Sequence, residues 1–126
     1  MKKQTFLFLS CLLLTISAFS QVYVQTFNEY GGAEGKAVNI NELDIEFCKI
    51  APSRFSTKPF NLVVDYGQKF QEKRTKVVDQ NGKLLEFNSM TDAMNHFHRN
   101  GWDYVEPDIF GDAENAYPRW LIFRKM

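Results

Sequence analysis

The chain has 126 residues, and its imidazole and thiol side chains are few: two histidines, His96 and His98, and two cysteines, Cys11 and Cys48. Zinc usually takes three or four protein ligands. Two helical residues separated by two positions point about 200° apart, so His96 and His98 cannot readily grip one ion; the HExxH motif uses a spacing of four for that reason. Solvated helix polar residues are expected. Cys48 could act as a nucleophile with a histidine partner, but it stands among Glu46 and Lys49 with no local signature of a cysteine enzyme. A buried structural thiol is the expectation. Asp108, Asp112 and Glu114 offer hard oxygens of the kind calcium takes. Their spacing departs from D-x-[DN]-x-[DN]-G, and the neighbouring Gly111 points to a solvated turn.

Two further constellations fare no better. Asp65, Asp103 and His98 could serve a small hydrolase as acid and base, yet nothing in their spacing gathers them. Lys69, Lys73, Arg74 and Lys76, with Phe70 among them, could form a nucleic-acid stripe. The charge balance opposes it, since fifteen Lys and Arg meet fifteen Asp and Glu, and such a balance gives no long-range field for polyanions. These lysines are expected instead to protect an exposed hairpin edge. No catalytic residue, cofactor or metal is expected, and no enzyme activity. The aromatic residues Trp102, Tyr104, Tyr117 and Trp120 are a candidate interaction surface if they project outward, although core packing is the ordinary fate of such rings.

The elements that must position these residues follow a secretory layout. Lys2 and Lys3 precede an almost uncharged apolar run, FLFLSCLLLTISAF, and the small residues Ala18 and Ser20 suit a cleavage point. Residues 1–20 therefore read as a signal peptide cut after Ser20. The run is shorter than the roughly 20 apolar residues of a membrane span, so no stable membrane insertion is expected after cleavage. Residues 21–126 then form a single domain of formal charge −2, with thirteen basic and fifteen acidic residues. Only Cys48 remains in it, so no internal disulfide can hold it, unusual for a small exported domain.

Alternation predicts a strand over 22–27 with Val22 and Val24 on one side, then a loop at Gly31, Gly32 and Gly35 that opens a loop-rich stretch, 31–59. Residues 43–50 alternate with Leu43, Ile45 and Phe47 on one face and Asp44, Glu46 and Cys48 on the other. Residues 60–66 place Phe60, Leu62, Val64 and Tyr66 together. Asn81 and Gly82 predict a two-residue type I′ turn with Val78 opposite Leu85. Ser89 and Asp92 read as a capping box for a helix whose inward stripe is Met90, Ala93, Met94 and Phe97, stopped at Gly101. Residues 102–105 resume a strand, 108–116 form a loop and 117–124 a closing strand. The fold class is α+β, an antiparallel sheet with one helix across one face.

The run NGKLLEFNSMTDAMNHFHRNGWDYV followed by YPRWLIFRK resembles a family of short exported proteins of unknown function from Gram-negative gut bacteria. They share a hairpin, an "FNS…DALN" segment, a helix ending in NGW-acidic and a last strand closing on basic residues. The resemblance covers roughly 61–125 and implies a compact α+β domain; it brings no catalytic residues. The expected function is an exported binding or structural module, in the periplasm, on the outer surface or secreted, with a protein or glycan partner and no nucleic acid. The open sheet face or an edge strand would be its working surface. An alternative is a peptidase inhibitor-like domain that inserts the 31–35 loop or the Asn81–Gly82 turn into a cleft.

Overall fold

The structure, a computed structural model, describes residues 20–54, 58–69, 74–110 and 117–126, with the side chains of 109, 110 and 117–119 outside that description. The expected signal peptide, apart from Ser20, thus lies outside the described residues. Seven strands form one antiparallel sheet: β1 (Tyr23–Phe27), β2 (Ala33–Asn39), β3 (Phe47–Pro52), β4 (Leu62–Asp65), β5 (Thr75–Val78), β6 (Trp102–Phe110) and β7 (Tyr117–Lys125). Their order is β2-β1-β5-β4-β3-β7-β6, so β2 and β6 are the edges. Among the described residues one α-helix, α1 (Met90–Arg99), lies between β5 and β6 in sequence.

Alternation puts one residue of each pair on the helix side. Val22, Val24, Ile50, Leu62, Val64, Val77 and Phe123 meet there with Ala93 and Phe97 of α1, all at 1 % exposure or less. At roughly 25 cal/mol for each Å² of apolar surface removed from water, this layer is what holds a domain whose described residues include no disulfide. Ser89 caps the helix, its Oγ accepting from Asp92 N at 3.1 Å, while Asp92 Oδ2 accepts from Asn88 N. Gly101, at φ +87°, ends it as expected.

Four expectations need correction. The 31–35 region is not a loop, because β2 begins at Ala33 and pairs with β1. β2 escapes detection because its first four residues are all exposed, and an exposed edge strand needs no apolar alternation. Residues 43–50 also do not form one strand. A 3-10 turn (Ile40–Glu42) precedes them, bends occupy their start, and β3 begins only at Phe47. Leu43 and Ile45 still pack on the core, but the phase slips by one, so Cys48 and Ile50 turn inward and Phe47 is 48 % exposed.

The third concerns the hairpin after β5. Gly82 N donates to Asp79 O and Asp79 N to Lys83 O, so three residues rather than two span the turn. Val78 accordingly bridges Leu84 instead of Leu85. The fourth is the strand after the helix, which runs on through Asp108 to Phe110 where a loop was expected. In addition, Lys76 does not guard an edge: its strand, β5, lies between β1 and β4.

A polar junction ties the layers together. Asn41 Oδ1 accepts from Val22 N at 2.9 Å and from the Trp102 indole Nε1 at 3.1 Å, while its Nδ2 donates to Asn100 O at 2.7 Å. One side chain thereby joins the start of β1, the start of β6 and the end of α1.

Candidate functional site

β6 is the strand best placed to meet a partner. Gly101 accepts from Met126 N, which fixes the phase of its ladder with β7. Because antiparallel bonds alternate, the N–H and C=O of Trp102 and Tyr104 then face the free side. Val105 is the extra residue of a bulge between Tyr104 and Glu106 and is 46 % exposed. Pro107 follows, a residue that sheets tolerate at edges because it has no N–H to offer a neighbour. The acidic residues Asp103, Glu106 and Asp108 all fall on the open face, away from α1.

The four aromatic candidates do not form one surface. Trp102 is fully buried, a correction to its place in the candidate surface: the Gly101 stop turns the chain so that the indole slides beneath the helix. Its ring also carries the Lys125 Nζ at 5.7 Å. Tyr104 is 40 % exposed and leans edge-on against Phe123, ring centres 5.7 Å apart. Trp120 is half-buried and pairs with Asp108, which puts it on the open face away from α1. Tyr117 pairs with Phe110 at the far end of β7, its side chain outside the described residues.

The open face beside β6 carries Phe47, Ile122, Lys49 and Arg124. The Arg124 guanidinium sits 5.9 Å from the Phe47 ring centre and bonds Glu46 at 2.7 Å. Lys49 bonds Asp108 at 2.5 Å. Exposed pairs of this kind contribute at most about 1 kcal/mol but do order the long side chains. Between the ends of β3, β4 and β7 lies a groove of about 380 Å³ bordered by Phe47, Tyr66 and Ile122, with Cys48 in its wall. Burial first, and the Asp65 carboxylate second, push the Cys48 thiol well above its ordinary value, so it keeps its proton at neutral pH. A protonated thiol is a poor nucleophile.

The acid–base trio is dispersed. Asp65 on β4 and Asp103 on β6 are separated by three strand spacings, about 14 Å, and His98 is an exposed residue of α1 on the opposite side of the sheet. Asp112, Glu114, Phe70 and Lys73 lie outside the described residues, while Asp108 is engaged with Lys49. Lys69 and Arg74 are exposed. His96 is half-buried rather than solvated, its ring edge-on to Phe87 at 5.4 Å. Desolvation, followed by the Arg99 charge, lowers its pKa against an opposing pull from Asp92. Among the described residues no three His, Cys, Asp or Glu side chains converge on a metal-sized site, and no helix is long and apolar enough to cross a membrane.

Sequence reasoning missed one surface residue altogether. Tyr30 is 93 % exposed at the tip of the β1–β2 hairpin. Its turn has a readable signal, an asparagine three residues before a glycine (Asn28 and Gly31), the same spacing as Asp79 and Gly82. No protein-family model matches the chain, and neither a curated protein nor a solved structure shows significant similarity to it.

Proposed function

We propose that the chain is an exported binding module, not an enzyme, that captures an extended segment of a partner protein along β6. The observation that carries this reading is the edge strand β6, whose Trp102 and Tyr104 main-chain groups face its open side ahead of the Val105 bulge and Pro107, and whose outward face is acidic. Strand addition to such an edge draws affinity from main-chain hydrogen bonds and specificity from alternate side chains. Asp103 and Glu106, with no ion pair among the described residues, favour a segment with basic residues at alternate positions. Export rests on the Lys2–Lys3 start and apolar run, and the resemblance of 61–125 to short exported proteins agrees with it.

The test uses the full-length gene product carrying a photo-crosslinking residue at Val105, irradiated in intact envelopes. A discrete partner, together with new amide protection at Trp102 and Tyr104 in the complex, is expected. Asp103→Lys with Glu106→Lys should reverse the preference from basic to acidic peptides. Crosslinks without β6 protection, or no charge preference, would refute the strand-addition reading.

The exposed Tyr30 favours a second reading, a peptidase inhibitor-like domain with this hairpin as the wedge. Asn28 Oδ1 holds the turn by accepting from Tyr30 N at 3.0 Å and Gly32 N at 2.8 Å, and rigid aromatic anchors of this kind dominate many interfaces. Inhibition of a cysteine, serine or metallo-peptidase that disappears in Tyr30→Ala would establish it; a panel without inhibition would remove it.

A further inference from the structure

At the end of the sheet where β1 begins and β5 stops, the turn 79–83 and the last turn of α1 border a second, solvent-open groove of about 380 Å³. This is within the range of small-ligand pockets, roughly 300–1,000 Å³. Its polar wall comes from Gln21, Tyr23, Gln80, Asn81, His96 and Asn100, and Val78 and Leu85 add apolar surface.

Part of that wall is held in place by its own bonds. Tyr23 Oη donates to Gln21 Oε1 at 3.1 Å, Gln21 N donates to Asn100 Oδ1 at 3.3 Å, and Asn100 Nδ2 donates to His96 O at 2.8 Å. The side-chain amides of Gln80 and Asn81 and the imidazole nitrogens of His96 make no hydrogen bond among the described residues. They are available to a ligand beside Gln21, Tyr23 and Asn100, whose bonded positions lower the entropic cost of binding at that part of the wall.

The chemistry of these groups is uniform. Carboxamides, a phenol and a neutral imidazole each donate and accept at once. The lowered pKa of His96 keeps that ring neutral near pH 7. Among the described residues no lysine or arginine lines the groove, and the carbonyl end of a helix carries partial negative charge, so anions are disfavoured. The one carboxylate among its described lining residues, Asp79, has its Oδ1 occupied by Asn81 N at 2.8 Å and Lys83 N at 3.0 Å. Neutral groups that both donate and accept are the complement of hydroxyls, and the Tyr23 and His96 rings stand among them in the wall. We propose that this groove binds one uncharged saccharide unit, as a free sugar or as the exposed end of a glycan. The site adjoins the start of β6 through Asn100 but includes no residue of Trp102–Phe110, and the proposal does not rest on the strand-addition reading.

The full-length gene product, isotopically labelled, is titrated by NMR with galactose, mannose, N-acetylglucosamine, maltose and dextran, and with glucuronate and trialanine as controls. Saturable shifts at Gln80, Asn81, His96 and Asn100 with a neutral sugar, and none with the controls, are expected. Free sugar and dextran at equal concentrations of chain ends distinguish a small ligand from a glycan terminus, and either outcome upholds the site. Gln80→Ala with Asn81→Ala should weaken binding roughly tenfold through lost hydrogen bonds, with an unchanged melting temperature, since Asp79 and Gly82 still shape the turn. His96→Gln, which keeps a donor and an acceptor, should bind better than His96→Leu. No saturable shift with any neutral sugar, equal binding of glucuronate or trialanine, or indifference to the double substitution would overturn the proposal. Shifts confined to Phe47 and Ile122 would overturn it as well. Crosslinking at Val105 stays informative in every case.

Discussion

The molecule builds the same turn twice and puts it to different uses. In the β1–β2 hairpin, Asn28 Oδ1 accepts from the N–H groups two and four residues on, Gly31 N closes the turn on Asn28 O, and Gly31 adopts φ +85°. In the hairpin after β5, Asp79 Oδ1 takes the equivalent pair, Gly82 N closes on Asp79 O, and Gly82 adopts φ +84°. Both fit the three-residue hairpin loop, in which a four-residue turn is followed by a left-handed glycine. The first connects an edge strand whose leading residues are exposed and ends in Tyr30. The second leaves an interior strand, lies over buried Val78 and puts Gln80 and Asn81 on a groove. Local chemistry makes the turn, and the place of the turn in the sheet decides what depends on it.

Substitutions can sharpen that contrast, beginning with an asparagine whose bonds are long-range. Asn41→Ala removes the acceptor for Val22 N and the Trp102 indole, both on fully buried residues. At about 1–3 kcal/mol for each buried donor left unmade, we expect a loss of about 2–6 kcal/mol in denaturant unfolding. Asp79→Ala removes two accepted bonds that water partly replaces, and should cost about 1–2 kcal/mol, read globally because β5 is interior. Gly31→Ala and Gly82→Ala both force alanine into the left-handed region at about 1–2 kcal/mol. An added Cβ meets nothing within 4 Å at Gly31 and only the Gln25 Oε1 at 3.8 Å at Gly82, so the local strain should match. Hydrogen exchange should show it as opening of β2 alone for Gly31→Ala and as lowered protection across β5 for Gly82→Ala. Equal global losses would break the comparison.

A smaller effect concerns pH on the groove side. His96 has a folded pKa lowered chiefly by burial, so the unfolded chain binds its proton more readily, near pH 6.5. The corresponding stability is fully present above that pH and is lost as pH falls through the lower folded value. Replacing His96 with glutamine should flatten this part of the stability–pH curve, with Asp92 and Arg99 unchanged. The smallest change is expected for Tyr30→Ala, within about 0.5 kcal/mol, because a side chain 93 % exposed has almost no packing to lose. A large loss there would mean that the hairpin tip packs on something.

Local residue chemistry determined a good deal by itself. The Ser89 cap, the stripe of Ala93 and Phe97, the Gly101 stop and the paired faces of β1 and β4 depend on neighbours within a few positions, and they are where the pattern places them. Three other features belong to the assembled fold. Alternation has two equivalent phases until something covers one face, so only the position of α1 and the 3-10 turn decided that Cys48 is inside and Phe47 outside. Edge and interior are properties of strand order, which the long connections through 40–46 and α1 set, and this is why Lys76 is not at an edge and β6 is. Trp102 and Asn41 meet across sixty-one residues, a separation at which no local spacing carries information, so the burial of that indole was decided in three dimensions.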